Sequence, residues 1–508
     1  MVKKTVIVAL MMLVVAAVAT FVGVFFGVGK RKPPNEYFKA AVAADAGLCS
    51  EVDILIKGGS AVDAAIAAML CTGLVNAHSM GIGGGLFLTI YNATTVHSSN
   101  SLWFSVGGLA IAVPGEIRGY EMAHRRHGKL PWKDLFQPSI DLAEKGFPLG
   151  RALSLIITIC CLLHHKLLCF SEVFCGEDGD VRKENETIMF PKLAETYRKI
   201  ATEGPNAFYE GQLAQNLVAD IAAAGGIITM QDLQEYVAIL DEEPLRVDVG
   251  EYTMVAPTAP ASGPVLSLIL NILKGKTVSF FSHFFIVNWS LVIFLFQSAA
   301  HLMNSSFINH IREMISSNST HDDSYYFNVK PSSDQTGTTH VSVMDEDGLA
   351  VSATSTINQI FGGAIYSSRT GIILNNELSD FCGRCKREQP PSSMTPVILE
   401  SKSGRILVIG GSGGSLITTA VALSIMNHLW LGMNLTEAIS APIVFVDSKN
   451  NVHFEPLFDK TVIDGLKAVG HKITHWKYFF NVVNAVEKEG GCISAFSDIR
   501  KMGQSAGY

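Results

Sequence analysis

The chain has 508 residues, of which 48% are hydrophobic and 17% charged, and its formal net charge is -7. This composition is typical of a packed globular protein that also carries more strongly apolar segments. The negative charge and the lack of a basic stripe in the sequence argue against a nucleic-acid-binding function.

The first apolar segment predicts a membrane anchor. Residues 5–29 contain no charged side chain and are long enough to cross a bilayer as a helix. The segment is longer than the core of a usual signal peptide and lacks a convincing small-residue cleavage site, which favours an uncleaved signal anchor. Basic residues flank both ends, so charge alone does not decide the orientation. The short tail, residues 1–4, favours a single-pass type II protein of the cell membrane with an extracellular body.

The sequons are consistent with that location. We predict glycosylation at Asn92, Asn185, Asn304, Asn318 and Asn434. A further sequon, at Asn288, lies in a strongly apolar segment.

The cysteines suggest a partly paired set. Nine cysteines in an oxidising compartment leave at least one unpaired. Cys49 and Cys71 flank a helical stretch and could form a disulfide, and Cys169 and Cys175 could form another. Cys382 and Cys385 form a lone C-x-x-C, which makes zinc binding improbable and leaves a redox role open.

The elements after the anchor begin with an alanine-rich stretch, residues 36–46, that predicts a helix. A second helix begins at Ser60, which can cap it, with Asp63 completing a capping box. The body of this helix, residues 64–74, is small and apolar on nearly all sides and should be buried. The glycine run that follows, residues 81–85, lacks the Lys-Ser/Thr pair of a P-loop and precedes a strand over 86–91. We therefore expect it to serve close backbone packing.

Further helices are predicted over 113–127, 192–203 and 211–224, and a buried helix within 256–273. Gly128 ends the first of these. His124 and His127 have a spacing that metal ligands use, but Arg125 and Arg126 between them favour a solvated helix end.

The second strongly apolar segment, residues 277–297, has two interpretations. A second membrane span would return the rest of the chain to the cytoplasm. A buried core segment is the alternative, and the interruptions at His283, Asn288 and Trp289 favour it.

Residues 335–343 contain the sharpest chemical signal. Gly337 and Thr338 stand at the head of a predicted strand, 340–343, and a turn at 345–348 returns the chain as a second strand, 349–353. If the bond after Gly337 is cut, Thr338 gains a free α-amine with a pKa near ~8, which can act as the base for its own hydroxyl. Glycine leaves the carbonyl unshielded and tolerates the backbone strain of an intramolecular attack. The alternative is an ordinary threonine-rich strand start.

Several polar motifs follow downstream. The strand end at 352–358 is polar, Glu377 and Asp380 lie three apart, and Ser392-Ser393 follows a proline pair. The glycine turn 410–415 precedes an apolar helix, 417–431, and its backbone N–H groups suit an oxyanion or a bound anion. Each motif alone also fits a solvated face or a simple turn.

Taken together and in this order, the motifs resemble those of the gamma-glutamyltransferase (glutathione hydrolase) family, of the vertebrate membrane-anchored type. The matching stretches are G-G-S-A-V-D-A-A-I-A-A, N-A-H-S-M-G-I-G-G-G-L-F-L-T-I-Y-N, A-V-P-G-E-I-R-G-Y-E, T-G-T-T-H, S-A-T-S-T-I-N, N-N-E-L-S-D-F, P-S-S-M and G-G-S-G-G-S. The resemblance implies a four-layer αββα sandwich of the N-terminal-nucleophile hydrolase type. It also implies self-cleavage after Gly337 into a large subunit, residues 30–337, and a small subunit, residues 338–508, that remain together as a heterodimer.

The resemblance assigns roles residue by residue. Thr338 is the nucleophile, and Thr356 holds its hydroxyl. The α-amino group of the γ-glutamyl donor binds Asn358, Glu377 and Asp380, because a buried ammonium needs oxygen acceptors for its protons. Ser392 and Ser393 bind the donor's α-carboxylate, and Gly413 and Gly414 stabilise the oxyanion. The implied donors are glutathione and its conjugates, the acceptors are water, amino acids or dipeptides, and no metal or organic cofactor is needed.

The chain departs from the family pattern in its donor site. No arginine lies between Tyr91 and Pro114, where the family has a guanidinium that pairs with the donor carboxylate. Such a loss costs roughly 2–4 kcal/mol of binding. Segment 277–297 replaces amphipathic helices, the loop between Asp380 and Ser392 is short, and Cys169 and Cys175 are spaced more widely than the family's pair. The alternative function is therefore an uncleaved, catalytically weak relative that acts as a membrane-anchored binding protein. A multispanning transporter is a third class that rests on segment 277–297 alone.

Overall fold

The computed structural model describes residues 35–50, 52–92, 95–101, 108–163, 171–274, 302–315, 319, 325, 337–380, 391–447, 449–474 and 482–508. The chain divides into two units, residues 1–36 and 37–508. The predicted anchor, the apolar segment 277–297, the C-x-x-C pair, Cys169 and the sequons Asn288 and Asn318 lie outside the described residues. Among the helices that are described, none combines the length and hydrophobicity that a membrane span requires.

The described part of the chain contains two seven-stranded sheets. In chain order the strands are β1 (Glu36–Tyr37), β2 (Ala41–Ala44), β3 (Gly85–Asn92), β4 (Thr95–Ser101), β5 (Phe147–Pro148), β6 (Thr187–Ile188), β7 (Ile239–Asp241), β8 (Leu245–Val249), β9 (Tyr252–Ala256), β10 (Gly337–Met344), β11 (Ala350–Asn358), β12 (Ile365–Tyr366), β13 (Ile373–Leu374), β14 (Val397–Ser401), β15 (Ile406–Ser412), β16 (Val444–Val446), β17 (Asn451–Phe454), β18 (Lys472–Thr474), β19 (Val482–Glu489), β20 (Cys492–Ser497) and β21 (Gln504–Gly507). The first sheet has the order β21-β2-β10-β11-β3-β4-β7, and the second has the order β1-β20-β19-β15-β14-β9-β8.

The α-helices cover the outer faces of these sheets. They are α1 (Val52–Ile56), α2 (Ala61–Val75), α3 (Glu116–His127), α4 (Trp132–Lys145), α5 (Arg151–Leu163), α6 (Ser171–Phe174), α7 (Pro191–Glu203), α8 (Asn206–Tyr209), α9 (Gly211–Ala223), α10 (Met230–Glu235), α11 (Gly263–Leu273), α12 (Ser305–Met314), α13 (Ile417–Leu429), α14 (Leu435–Ser440) and α15 (Lys460–Ala468).

Alternation along the strands separates the hydrophobic core into layers. Val341 and Val343 of β10 pack with the residues of α2 in one cluster. Met344, on the opposite face of β10, packs with Ile398 and Val408 of the second sheet. The other face of the second sheet packs against α11 and α13. Because successive strand residues point to opposite faces, each sheet has one face toward helices and one toward the other sheet. The mixed α/β architecture predicted from the sequence is confirmed.

The alanine-rich stretch is the clearest error of the sequence analysis, because residues 36–46 contain β1 and β2 and not a helix. Strand β2 lies between β10 and β21, and Ala41 to Ala44 are fully buried. Small side chains allow helices to pack closely on one face and the second sheet on the other. Tertiary packing here overrides the helix propensity of alanine.

Other local predictions are confirmed. Helix α2 begins with the capping box formed by Ser60 and Asp63, and all of its residues are buried. The disulfide between Cys49 and Cys71 joins the stretch before α1 to this helix. The helices predicted over 113–127, 192–203, 211–224, 256–273 and 417–431 correspond to α3, α7, α9, α11 and α13.

Helix α3 ends at His127 with Gly128 as its cap, as predicted. His124 Nε2 lies 2.8 Å from the carbonyl oxygen of Leu130. Within the described ranges, no group of three or more His, Cys, Asp or Glu side chains is placed to hold a metal ion.

Candidate active site

Thr338 lies opposite an irregularity in the predicted hairpin. Strands β10 and β11 pair antiparallel, with Gly337 opposite Asn358 and Thr339 opposite Ser355. Strand β11 therefore contributes an extra residue, so that Thr356 and Ile357 both face Thr338. A β-bulge of this kind re-aims side chains and is common beside active sites.

Gly337 occupies a position that excludes any side chain. A Cβ atom there would lie 2.6 Å from the carbonyl oxygen of Gln359 and 2.9 Å from that of Asn358. The Gly337 carbonyl oxygen accepts a hydrogen bond from the Thr356 hydroxyl, which itself accepts one from the backbone N–H of Asn358 at 2.7 Å. In the intact chain Thr356 thus contacts the carbonyl of the Gly337–Thr338 peptide, whereas the role implied by the family resemblance is contact with the Thr338 hydroxyl.

Asn358 joins this strand end to the predicted carboxylates. Its backbone has a φ of 75°, in the left-handed region that Asn tolerates better than most residues. Its side-chain amide donates to Asp380 Oδ1 at 3.0 Å, to the Asn376 carbonyl oxygen at 3.0 Å and to Ser379 Oγ at 3.2 Å. The structure therefore brings Asn358 and Asp380 together as predicted.

Glu377 lies in the same short 3₁₀ helix as Asp380 and is buried. Its Oε1 atom has no hydrogen-bond partner among the described residues. Burial raises the pKa of the Glu377 carboxyl well above its usual value, and the nearby Asp380 raises it further. A buried carboxyl with an unsatisfied oxygen is suited to receive a cationic group.

The glycine run packs directly against this region. A Cβ on Gly83 would lie 2.0 Å from the carbonyl oxygen of Ile373, and one on Gly84 would lie 2.0 Å from that of Thr356. Asn375 then donates from its side chain to the Gly83 carbonyl oxygen at 2.7 Å. The packing role predicted for the run is confirmed, and its backbone supports both the bulge and the segment that carries Glu377.

The glycine turn is shorter than predicted, because residues 410–412 belong to strand β15 and the turn begins at Gly413. Gly413 and Gly414 have φ values of 119° and 60°, which favour glycine. They follow Ser412, the last residue of β15, and precede α13.

Ser392 and Ser393 lie against the starts of two helices. The backbone N–H of Ser392 donates to the Pro260 carbonyl oxygen at 2.8 Å. The Ser392 carbonyl oxygen accepts a hydrogen bond from Ser262 Oγ at 2.7 Å. The Ser393 carbonyl oxygen accepts from Thr418 Oγ1 of α13 at 3.1 Å. These contacts place both serines near the glycine turn, since Thr418 follows it closely in sequence.

Sequence reasoning missed a buried polar cluster beneath Thr338. Lys501 Nζ donates to the Thr338 carbonyl oxygen at 2.6 Å and to Ser412 Oγ at 2.8 Å, and it lies 3.4 Å from Asp45 Oδ2. Asn484 Nδ2 donates to Asp45 Oδ1 at 2.6 Å. The one available sequence signal was Asp45, a charged residue at the end of an apolar alanine run.

His340 is a structural residue of the same inter-sheet layer. The Ser342 hydroxyl donates its hydrogen bond to the Asn484 carbonyl oxygen at 3.1 Å. Its oxygen therefore accepts a hydrogen bond from His340 Nε2 at 2.9 Å. His340 Nδ1 then accepts from Thr354 Oγ1 at 2.8 Å. Burial lowers the pKa of His340 to about 3, so the imidazole stays neutral.

Comparison with known proteins identifies the family. A profile of the gamma-glutamyltranspeptidase family matches residues 49–102, 96–284 and 294–508. The mouse protein named glutathione hydrolase 5 proenzyme is 40% identical, and the alignment covers 94% of each chain. The chain belongs to the gamma-glutamyltranspeptidase family.

Solved structures agree with this assignment at the level of the fold. A cephalosporin acylase from Bacillus halodurans superposes with a TM-score of 0.84 at 22% identity, over 94% of this chain and 97% of that one. A gamma-glutamyltranspeptidase from Pseudomonas nitroreducens, complexed with L-DON, gives a TM-score of 0.50 at 26% identity, over 56% of this chain and 96% of that one. As a gamma-glutamyltranspeptidase family member, the chain is an enzyme of the hydrolase and transferase type.

In this chain, three of the asparagines predicted to be glycosylated are exposed: Asn185, Asn304 and Asn434. Asn304 and Asn434 cap α12 and α14, because the Oδ1 atom of each accepts a hydrogen bond from a backbone N–H of the helix, at 2.8 and 2.9 Å respectively. The amide nitrogen that would carry a glycan is not the atom used for capping. Asn92, at the end of β3, is partly buried. Glycosylation at these residues stays a prediction.

Proposed function

We propose that this chain is a membrane-anchored, self-cleaving γ-glutamyl hydrolase and transferase that acts on glutathione and its conjugates, with Thr338 as its nucleophile. One observation carries the proposal: Thr338 lies at a β-bulge where the preceding carbonyl accepts a hydrogen bond from Thr356. The name of the mouse relative, a glutathione hydrolase proenzyme, supports both the substrate class and the cleavage.

Maturation would begin with attack of the Thr338 hydroxyl oxygen on the Gly337 carbonyl carbon. The C–N bond breaks, the amide nitrogen gains the hydroxyl proton, and an ester links Gly337 to Thr338 Oγ. Water then hydrolyses the ester, leaving a carboxylate on Gly337 and a free α-amine on Thr338. The Thr356 hydroxyl is placed to stabilise the negative charge that develops on the Gly337 oxygen.

The cleaved halves would remain one heterodimer. Strand β10, which begins at the proposed cut, pairs with β2, and β11 pairs with β3. Residues 30–337 contribute β2 and β3, and residues 338–508 contribute β11 and nearly all of β10. These ladders and the shared core hold the two proposed subunits together after the peptide bond is broken.

In the catalytic cycle the Thr338 α-amine takes the hydroxyl proton while the oxygen attacks the γ-glutamyl carbonyl. The proton passes to the leaving amine, and water or an acceptor amine then releases the γ-glutamyl ester. The γ-glutamyl donor's ammonium would bind beside Asn358, Glu377 and Asp380. Gly413 and Gly414 would face the oxyanion, and Ser392 and Ser393 the donor carboxylate. No metal or organic cofactor enters these steps.

The alternative is an uncleaved, catalytically weak relative that acts as a binding protein. One observation favours it, the lack of an arginine between Tyr91 and Pro114 to pair with the donor carboxylate. The two functions differ in whether a fragment beginning at Thr338 is formed and in whether γ-glutamyl transfer is normal.

The proposed location rests on residues 5–29 as a signal anchor and on the exposed sequons. Treatment of intact expressing cells with an endoglycosidase tests it. A mass shift of the chain supports an extracellular body, and an unglycosylated chain contradicts it.

The function itself is tested by a denaturing gel of the purified full chain, with N-terminal sequencing of any small fragment and an assay of glutamate release from glutathione. A fragment beginning Thr338-Thr339-His340 together with turnover supports the enzyme. Thr338→Ala should give an intact, inactive chain. An intact wild-type chain without turnover favours the binding protein, and cleavage with turnover reduced by about 10² to 10³ would point to the missing arginine.

A further inference from the structure

Lys501 and Asp45 form a buried ion pair directly behind Thr338. Their side chains are 1% and 0% exposed, and they come from opposite ends of the described chain. Lys501 lies in a 3₁₀ turn just before β21, and Asp45 follows the last residue of β2. The proposed mechanism uses neither residue.

The hydrogen bonds around the pair favour its charged form. Asp45 accepts from Ser412 Oγ at 2.8 Å, from Asn484 Nδ2 at 2.6 Å and from the His340 N–H at 3.4 Å, besides its contact with Lys501. Burial raises the pKa of Asp45, and Lys501 together with these hydrogen-bond donors opposes that shift by favouring the ionised carboxylate. Its partner Lys501 is then an ammonium, with its protons directed to Thr338, Ser412 and Asp45.

We propose that Lys501 is a positioning residue for Thr338, and that its charge keeps the α-amine of the mature N-terminus unprotonated near neutral pH. Since an amide nitrogen lies within about 3.6 Å of the carbonyl oxygen of its own residue, the Thr338 α-amine lies within roughly 6 Å of Lys501 Nζ. Only the unprotonated amine can accept the proton of the hydroxyl, so a nearby fixed positive charge favours the active form.

The size of the effect follows from the distance. Two like charges about 6 Å apart, in surroundings of effective dielectric constant about 20, repel enough to lower the pKa of the amine by roughly two units. Asp45 offsets part of this repulsion. A net lowering of about one unit is expected, from about 8 for an ordinary α-amine to about 7.

The other ionisable groups around the site act differently. His340 on β10 and His78 after α2 are buried and neutral, since burial lowers the pKa of each to about 3. Asp498 is paired with Arg500. A charged Asp380, on the side of Asn358, would raise the pKa of the amine, so Lys501 also opposes it. Burial and Asp380 raise the pKa of Glu377, which favours the neutral form of that carboxyl. Burial lowers the pKa of Lys501 itself, and Asp45 counters that shift.

This inference rests on the proposed cleavage, and one experiment separates the two. The full chain is purified, and the small fragment is checked to begin at Thr338. The α-amine of Thr338 is then titrated by the pH dependence of its carbamylation by cyanate, read from the mass of the N-terminal peptide. The pH profile of kcat/KM for glutathione is measured in parallel. Neither measurement reports on overall folding alone.

The expected results are an α-amine pKa of about 7 in the wild type and about 8 or above in Lys501→Met, where Asp45 is left without its partner, with the acid limb of kcat/KM moving up by at least about one pH unit. Lys501→Arg keeps the charge and should keep the wild-type values. Lys460→Met, on the exposed face of α15, is the matched control.

A cleaved Lys501→Met variant with a wild-type amine pKa and acid limb overturns the inference. If the Lys501→Met variant is not cleaved, the α-amine pKa of the wild type still tests the inference. A wild-type pKa at or above about 8 also overturns it. A wild-type chain with no fragment beginning at Thr338 overturns the proposed function, and this inference with it.

Discussion

The hydroxyl of Thr356 donates a hydrogen bond to the carbonyl oxygen of Gly337, across the two strands that meet at Thr338. The oxygen of the same hydroxyl accepts a hydrogen bond from the Asn358 N–H, so the hydroxyl proton points toward the Gly337 carbonyl oxygen. One threonine thereby connects the proposed scissile bond to the residue that binds Asp380.

Replacing Thr356 with Val removes this donor and keeps the side-chain shape. We expect self-cleavage to slow by about 10²- to 10³-fold, the cost of losing one oxyanion donor. The measurement is the fraction of cleaved chain over time on a denaturing gel. Thr356→Ser retains the hydroxyl and should cleave at a rate near that of the wild type. Equal cleavage by the Val and Ser variants would refute the role of the hydroxyl.

Gly337→Ala introduces a Cβ 2.6 Å from the Gln359 carbonyl oxygen. Neighbouring backbone must move, and displacement of the attacked carbonyl by even about 1 Å costs roughly 10²-fold in rate. We expect an uncleaved chain with retained secondary structure by circular dichroism. Gly491→Ala is the control, because a Cβ there meets nothing within 4 Å. Normal cleavage of Gly337→Ala would contradict the crowding at this position.

Glu377→Gln should separate stability from substrate binding. The pKa of the Glu377 carboxyl is raised in the folded protein, so its contribution to stability is present below the unfolded pKa and is lost as the pH rises through the folded value. The variant should therefore be more stable than the wild type at pH 8 without substrate. It should also raise KM for glutathione by about 10- to 100-fold, since it loses a charged partner for the ammonium. Thermal melts measure the change in stability and steady-state kinetics measure the change in KM, with the exposed Glu203→Gln as the control. A Glu377→Gln variant that is less stable than the wild type and has a normal KM would contradict the role of Glu377 in binding the ammonium.

Glu116 predicts a second pH effect on stability. This buried carboxylate accepts hydrogen bonds from Ser355 Oγ at 2.7 Å and from the Tyr120 hydroxyl. Burial raises its pKa from 4.5 to about 7, against the opposing effect of these two bonds. Its stabilising contribution is complete below about pH 4.5 and declines as the pH rises through 7, by on the order of 3 kcal/mol in all.

Glu116→Gln should flatten the fall in thermal stability between pH 5.5 and 8.5. Denaturation midpoints across that range measure it, again with Glu203→Gln as the control. A variant whose midpoint falls with pH as steeply as that of the wild type would show that Glu116 does not titrate in this window.

Local chemistry explains which parts of the site could be predicted from sequence. The capping residues Ser60 and Asp63, the turn at 345–348 and the glycines at 83, 84 and 337 each act on neighbours in the chain or on any backbone that comes close. The structure bears out the packing role of Gly83 and Gly84, and it brings Asn358 and Asp380 into contact. The family motifs supplied the roles of Thr338, Glu377 and the glycine turn, which residue spacing alone left open.

Tertiary structure decided what sequence-local reasoning could not. Residues 41–44 form a strand because β10 and β21 pair with them and the layers on both sides accept small side chains, a context that no local propensity contains. The pairing of Asp45 with Lys501 joins residues 456 positions apart, through an inter-sheet layer that exists only once both sheets have formed. The sequence by itself determined the caps, the turns and the strand that carries Thr338. Only the packing of the two sheets placed a buried charge behind that threonine, because long-range contacts depend on the whole fold.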